Sequence, residues 1–256
     1  LALSKAVSFR NFLLEDFEYH KELCPKIWDA STGAGGQFKI KPEIREKLMS
    51  IAKDFWSSLK LEVKVLDVQL TGSLANYNWT MASDLDVHII IDFADVNPDI
   101  ELVRKALDGQ RFVWNLRHPV IIKEHDVECY IQHKDAQHRA SGLYSLLRDR
   151  WIVVPFYNPP KVDDRDVSEK ARVIMKEVKE VEKKAKSASG EEARELLDYL
   201  ERFKAKIMAD RKFGLYDTEA GEYSVENLVF KELRKNGTIE KIVDLASELY
   251  SKIYSE

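Results

Sequence analysis

Leu70-Thr71-Gly72-Ser73, ten further residues, and then Asp84-Leu85-Asp86-Val87 is the stretch on which the reading of the whole chain turns. Val63 to Leu70 has the apolar, β-branched character of a strand, and so has Leu85 to Ile91. Successive side chains on a strand alternate between faces, so Asp84 and Asp86 point the same way. Two neighbouring carboxylates repel and raise each other's proton affinity. A chain keeps such a pair mainly to hold a divalent cation, and an all-oxygen donor set favours Mg²⁺ or Mn²⁺ over zinc. Gly72 lets the backbone approach a phosphate, the N–H groups of a short helix opening at Leu74 favour an anion, and Ser73 adds a hydroxyl. One strand and its turn are thus expected to hold phosphates, and the next strand to hold metal. His88 continues the parity of Asp84 and Asp86, for substrate contact or for a structural role.

Working outward, Pro42 stands where a first helical position should be, and Ile44, Leu48, Ile51, Phe55 and Leu59 recur at helical spacing on one face. Asn97-Pro98 opens a further helix, roughly Asp99 to Asn115, and the β-rich runs Val120 to Lys123 and Val127 to Gln132 follow. The runs Tyr144 to Leu147 and Trp151 to Val154 continue the β pattern. A third carboxylate is expected on a neighbouring strand. Glu128, between the apolar Val127 and Cys129, is preferred for its central place, with Asp126 of the same parity as competitor. Asn158-Pro159-Pro160 marks a boundary, and the chain beyond it is helical: Val167 to Lys186, Glu191 to Arg211, a helix from Ser224 to Asn236-Gly237, and a last one from Ile239 to Tyr254. The expected class is α/β (α+β): an N-terminal arm and flexible loop over 1–40, a mixed-sheet domain over 41–160, and a helical domain over 161–256. The loop Ser31-Thr32-Gly33-Ala34-Gly35-Gly36-Gln37 is no P-loop, because Gln37-Phe38 stands where Lys-Ser/Thr would be required.

Composition narrows the class. The chain has 256 residues, 40 Lys or Arg against 44 Asp or Glu, and 45% hydrophobic residues, which excludes wholesale disorder. Residues 161–256 carry 20 basic and 22 acidic side chains, as do the first 160, so neither part is basic. A binder of long nucleic acid usually shows a basic half or stripe. Two cysteines, Cys24 and Cys129, make neither a disulfide framework nor a Cys-rich zinc site. No apolar run is long enough to cross a bilayer and no secretory signal pattern opens the chain. Leu1 in place of Met is expected to reflect trimming or processing.

Gly72-Ser73, then Asp84-x-Asp86, then Glu128 resembles the active-site signature of the DNA polymerase β-like nucleotidyltransferase superfamily, over roughly residues 41 to 155. Ser141-Gly142-Leu143-Tyr144-Ser145 followed by Trp151-Ile152-Val153 is similar to a pattern in nucleotidyltransferase-like proteins encoded by bacteriophages. The resemblance implies two Mg²⁺ (or Mn²⁺) ions held by Asp84, Asp86 and Glu128, and an NTP, ATP among them, bound at Gly72 and Ser73. It also implies transfer of an NMP to an acceptor hydroxyl with release of pyrophosphate, Glu128 serving as general base or as ligand to the metal nearer the acceptor. The helical tail is expected to close over the nucleotide. One departure is plain. Many minimal members carry Arg-Gly behind Gly-Ser, whereas this chain reads Asn76-Tyr77-Asn78-Trp79, so Arg104, Lys105, Arg111, Arg211 or Lys212 would have to grip the phosphates.

Other residues invite plainer expectations. Trp114 and Trp151 suit the core, Cys129 a small core position, and Tyr77 and Trp79 packing. His118, His125, His133 and His138 show no ligand spacing and suit the surface or turns. The acceptor is left open as a small molecule, a protein or a short RNA end, with long nucleic acid disfavoured and no membrane involved. The expected location is cytoplasmic, in the host cell for a phage product, or a virion. The other expectation is a non-catalytic component on the same fold, virion-associated or toxin-neutralising.

Overall fold

The computed structural model of the protein describes residues 20–29, 38–81, 83–136, 141–157 and 164–255. The architecture is mixed α/β, a mixed sheet with helices followed by a helical C-terminal region, and the chain divides into the compact units Leu1–Asn158 and Pro159–Glu256.

In the first unit, Pro42 opens helix α1 (Pro42–Leu59), which turns Ile44, Leu48, Ala52 and Phe55 inward and stops at Lys60, a left-handed residue at φ +54°. The expected strand from Val63 starts later, as β3 (Asp67–Thr71). Its partner β4 (Leu85–Ile91) has ended by that level, so Val63 and Val65 pack half-buried against the core instead. Helix α2 (Ile100–Arg117) has Asp99 as its N-cap, the carboxylate accepting from Leu102 N at 3.0 Å. Then come β5 (Ile121–Ile122), β6 (His125–His133), β7 (Leu143–Ser145) and β8 (Arg150–Val153). The spatial order is β5-β6-β4-β3-β7-β8. Strands β4 and β6 run parallel across the α2 crossover, and every other pair is antiparallel.

Strand parity separates two faces. Leu70, Leu85, Val87, Ile89 and Cys129 enter the core that α1 and α2 cover. Asp67, Gln69, Thr71, Asp86, His88, Glu128, Tyr130 and Gln132 share the other face. Beyond β5, the edge of β6 is closed by Asn115, whose side chain donates to Cys129 O and accepts from Cys129 N, both at 3.1 Å.

The stretch expected as an arm contributes to this core. A two-stranded pair, β1 (Trp28–Asp29) with β2 (Lys39–Ile40), sets Trp28 on Trp151 with ring centroids 4.6 Å apart, and Trp28 Nε1 donates to Leu74 O at 2.7 Å. Leu23, Cys24 and Ile27 are buried with it. Burying so large an apolar area outweighs the entropy of ordering a short segment. The run Val7 to Phe17 and the glycine loop at 31–37 lie outside the described residues.

The second unit comprises α3 (Asp164–Ser187), α4 (Gly190–Tyr216), α5 (Val225–Lys235) and α6 (Thr238–Tyr254). Their apolar stripes meet through Val167, Leu200, Leu228, Leu233, Ile242 and Leu249. Ser224 caps α5 by accepting from Asn227 N at 3.3 Å, and Gly237, at φ +74°, makes the left-handed turn into α6. No helix among the described residues is long and apolar enough to cross a membrane.

Candidate active site

The end of β3 brings the turn and the carboxylates together. Register aligns Thr71 with Asp86 and Asp86 with Glu128, so the three residues form one rung across β3, β4 and β6. Gly72 follows at φ +78° and ψ −167°, a conformation almost confined to glycine. A Cβ there would sit 2.1 Å from Asp86 Oδ2, so the missing side chain is the space that the carboxylate fills. Asp84 lies just before β4, half-buried. Asp126 is exposed one same-face step before Glu128, beside Ile121 of β5, and so is farther from Asp86.

The expected helix at Leu74 is a single 3-10 turn, Ser73–Ala75, ended by Asn76 in extended backbone. A turn this short sums few peptide dipoles, so its first N–H groups are what it can offer an anion. The Ser73 hydroxyl is engaged: it donates to Ser83 Oγ at 2.7 Å. Ser83 in turn accepts from Thr80 N at 2.9 Å, and its carbonyl accepts from His125 Nδ1 at 2.8 Å. The turn and the loop leading into Asp84 are therefore fastened together.

His125 departs from the expected surface role: it is 1% exposed, with Nε2 3.8 Å from Cys24 Sγ. Since a carbonyl only accepts, Nδ1 carries the proton, and Nε2 faces a thiol that burial, the largest influence, keeps protonated. His133 accepts from Phe93 N at 3.0 Å and is half-buried, whereas His118 stacks on Trp114 at the exposed end of α2. His138 lies outside the described residues. Cys129 is buried as expected, which pushes its thiol up to about 12. Tyr77 and Trp79 pack: Trp79 stacks on His20 and donates to Glu22 O at 2.9 Å, and Tyr77 meets Tyr157 edge-on.

The next rung inward is Gln69, His88 and Tyr130. His88 stacks on Tyr130 with centroids 4.7 Å apart and bonds Gln132 Oε1 at 2.6 Å. The Tyr130 hydroxyl donates to Glu128. Burial pushes Tyr130 far above the ordinary tyrosine range, and the charges of Asp86 and Glu128 add to it. Arg111 lies over the Tyr130 ring, 4.5 Å from its centroid. Of the other expected cations, Arg104 pairs with Glu101 on its own helix, and Arg211 in the second unit covers Phe230 and donates to Asn227. On β3, Asp67 accepts from Ser145 Oγ at 2.6 Å, from its neighbour's Val68 N and from Gln69 Nε2 at 3.1 Å. Tyr130, Arg111, Gln69 and Asp67 carry no sequence motif, although strand parity alone assigns three of them to the carboxylate face.

Behind the turn, Gly142 meets Ala75 backbone to backbone: a Cβ on Gly142 would lie 1.8 Å from Ala75 O. Asn76 Nδ2 donates to Ser141 Oγ at 2.5 Å beside it, so the Ser141-Gly142 segment braces the Gly72–Ser73 turn.

Asp86 and Glu128 share a rung and Asp84 enters from the loop, but among the described residues no three His, Cys, Asp or Glu side chains are gathered as a metal-ion cluster. The donor chemistry nevertheless suits a hard divalent cation: carboxylate oxygens only, one seated in the space Gly72 leaves. No family model, curated protein or solved structure matches the chain.

Proposed function

We propose that the chain is a metal-dependent nucleotidyltransferase that moves an NMP from an NTP to an acceptor hydroxyl. The observation that carries this reading is the Asp86 carboxylate seated against Gly72 and level with Glu128 on the adjacent strand. That conformation is open to glycine and strained for any other residue, and a side chain there would displace the carboxylate, so Gly72 leaves room for a phosphate to lie close to both backbone and carboxylate.

Asp84, Asp86 and Glu128 would hold divalent cations, which when bound neutralise triphosphate charge and acidify the acceptor hydroxyl. The first N–H groups of the Ser73–Ala75 turn meet the phosphates. Ser83 and His125 keep the Asp84 loop against that turn. Tyr130 orients Glu128, which takes the acceptor's proton. The acceptor oxygen forms its bond to the α-phosphorus as the bond to pyrophosphate breaks, and pyrophosphate leaves in line. With a net charge of -4 and no basic half, the chain suits a small-molecule, protein or short RNA acceptor better than a long nucleic acid.

The test is direct. Mg²⁺ with an NTP should raise the thermal midpoint of the wild type, and Asp86→Asn should abolish the rise while unfolding at a similar temperature without ligand. Labelled NTP added to a cell extract, afterwards split into RNA, protein and small-molecule fractions, should label one fraction with wild type and none with Asp84→Ala, Asp86→Ala. Absence of any shift with the four common NTPs would replace the enzyme reading with that of a non-catalytic component.

A further inference from the structure

The rung beyond the carboxylates carries a cation whose surroundings leave it work to do. Arg111 lies over the Tyr130 ring at 4.5 Å, and its Nε, though shut off from solvent, has no hydrogen-bond acceptor. The nearest paired acid, Asp108 Oδ1, is 3.9 Å from that nitrogen, beyond hydrogen-bond reach. The side chain is 28% exposed, so the far edge of the guanidinium reaches the surface while its face is fixed on the tyrosine. An aromatic pedestal orients a guanidinium without neutralising it, and a planar fork held this way suits an oxyanion.

Position along the sheet says which oxyanion. The Gly72–Ser73 turn lies past Thr71, at one end of the Thr71–Asp86–Glu128 rung. Tyr130 is one same-face step the other way, about 7 Å along β6. On the reading proposed above, the departing pyrophosphate lies on the turn side. In-line displacement then brings the acceptor from the opposite side, over the rung of His88 and Tyr130. An anionic group on an acceptor arriving over that rung would meet the Arg111 guanidinium that covers Tyr130.

We infer that Arg111 is an acceptor-side anion site: the acceptor carries a phosphate or carboxylate group beside the hydroxyl that is modified, and Arg111 binds that group, not the triphosphate. This rests on the nucleotidyltransferase reading, and the experiment separates the two. The full chain is loaded with Mg²⁺ and a non-hydrolysable ATP analogue, and inorganic phosphate is titrated by calorimetry, with the same phosphate titration repeated on the unloaded chain. Phosphate should bind the loaded wild type, and Arg111→Gln should weaken it about tenfold or more, the loss expected for one charge-assisted contact. Arg111→Lys, which keeps the charge without the planar fork, should fall between. The analogue's own affinity should change less than twofold in both variants. Phosphate binding that disappears on loading, or analogue affinity that falls with Arg111→Gln, would assign Arg111 to the triphosphate and overturn the inference. Phosphate binding equal in wild type and Arg111→Gln would overturn it too. Failure of the analogue to bind wild type would count against the nucleotidyltransferase reading instead, and the unloaded titration would then still decide whether Arg111 holds an anion.

Discussion

Replacing Gly72 with alanine should separate function from stability. The new Cβ would lie 2.1 Å from Asp86 Oδ2 and 3.1 Å from its Cγ. Ordinary contact begins near 3.4 Å, so the carboxylate oxygen must retreat by about 1 Å or more, which a side-chain terminus can do at small cost. The backbone cannot retreat so easily. At φ +78° and ψ −167° alanine carries a strain of about 1–3 kcal/mol, partly offset by the roughly 0.4–1 kcal/mol that alanine gains by restricting the unfolded chain. A net loss of about 1–2 kcal/mol corresponds to a fall of about 2–4 °C per kcal/mol in a domain of this size. A displacement of about 1 Å at a reacting centre lowers turnover by about 10²-fold. The expected result is therefore a midpoint lower by several degrees together with loss of most of the Mg²⁺·NTP thermal shift and about 10²-fold less label transfer. Differential scanning fluorimetry with and without Mg²⁺·NTP, beside the transfer assay, reads all three quantities. A Gly72→Ala variant with the wild-type ligand shift and wild-type transfer would refute the reasoning, because the contact between residue 72 and Asp86 would then carry no function.

Three further outcomes are expected. Gly142→Ala should destabilise the first unit by about 1–3 kcal/mol in urea unfolding, because its Cβ would strike a backbone carbonyl, Ala75 O, at 1.8 Å, and backbone gives way less readily than a side chain; an unchanged midpoint would contradict the close approach. His125→Leu leaves the Ser83 carbonyl without its 2.8 Å donor and should lower stability by about 1–3 kcal/mol and weaken Mg²⁺·NTP binding through the Asp84 loop; unaltered nucleotide binding in a folded variant would separate that loop from the site. The hydrogen bond from Lys134, and then that from Ala94 N, hold Asp92 below its ordinary 3.8, so this contribution is present above that pH and lost as pH falls through the lower folded value. Thermal midpoints of wild type and Lys134→Met should differ at neutral pH and converge in strong acid, and a constant gap down to the lowest pH would exclude that linkage.

The fold was legible where sequence pattern and local physics coincide. Pro42 and the spacing of Ile44, Leu48 and Phe55 mark α1, the run Leu85–Ile91 is strand from end to end, and Asp99 and Ser224 act as the caps their side chains permit. Reading failed where a partner decides. Val63 and Val65 have strand propensity but no strand beside them, and the segment before residue 40 looks like an arm until Trp28 is seen against Trp151. His125 shows no ligand spacing because its partners, Ser83 and Cys24, are 42 and 101 residues away.

By itself the sequence determined which side chains share a face, since the two-residue repeat of a strand is a local property. It therefore put Asp86 with His88, and Glu128 opposite Cys129, before any strand was paired, whereas Asp84, in the loop before β4, lies outside that repeat. Only the tertiary structure decided which rung faces which. The parallel pairing of β4 with β6 sets Glu128 level with Asp86, and the α2 crossover lays Arg111 over Tyr130 one step beyond. Register across strands depends on long-range packing and on where each crossover ends, neither of which is written in the spacing of nearby residues.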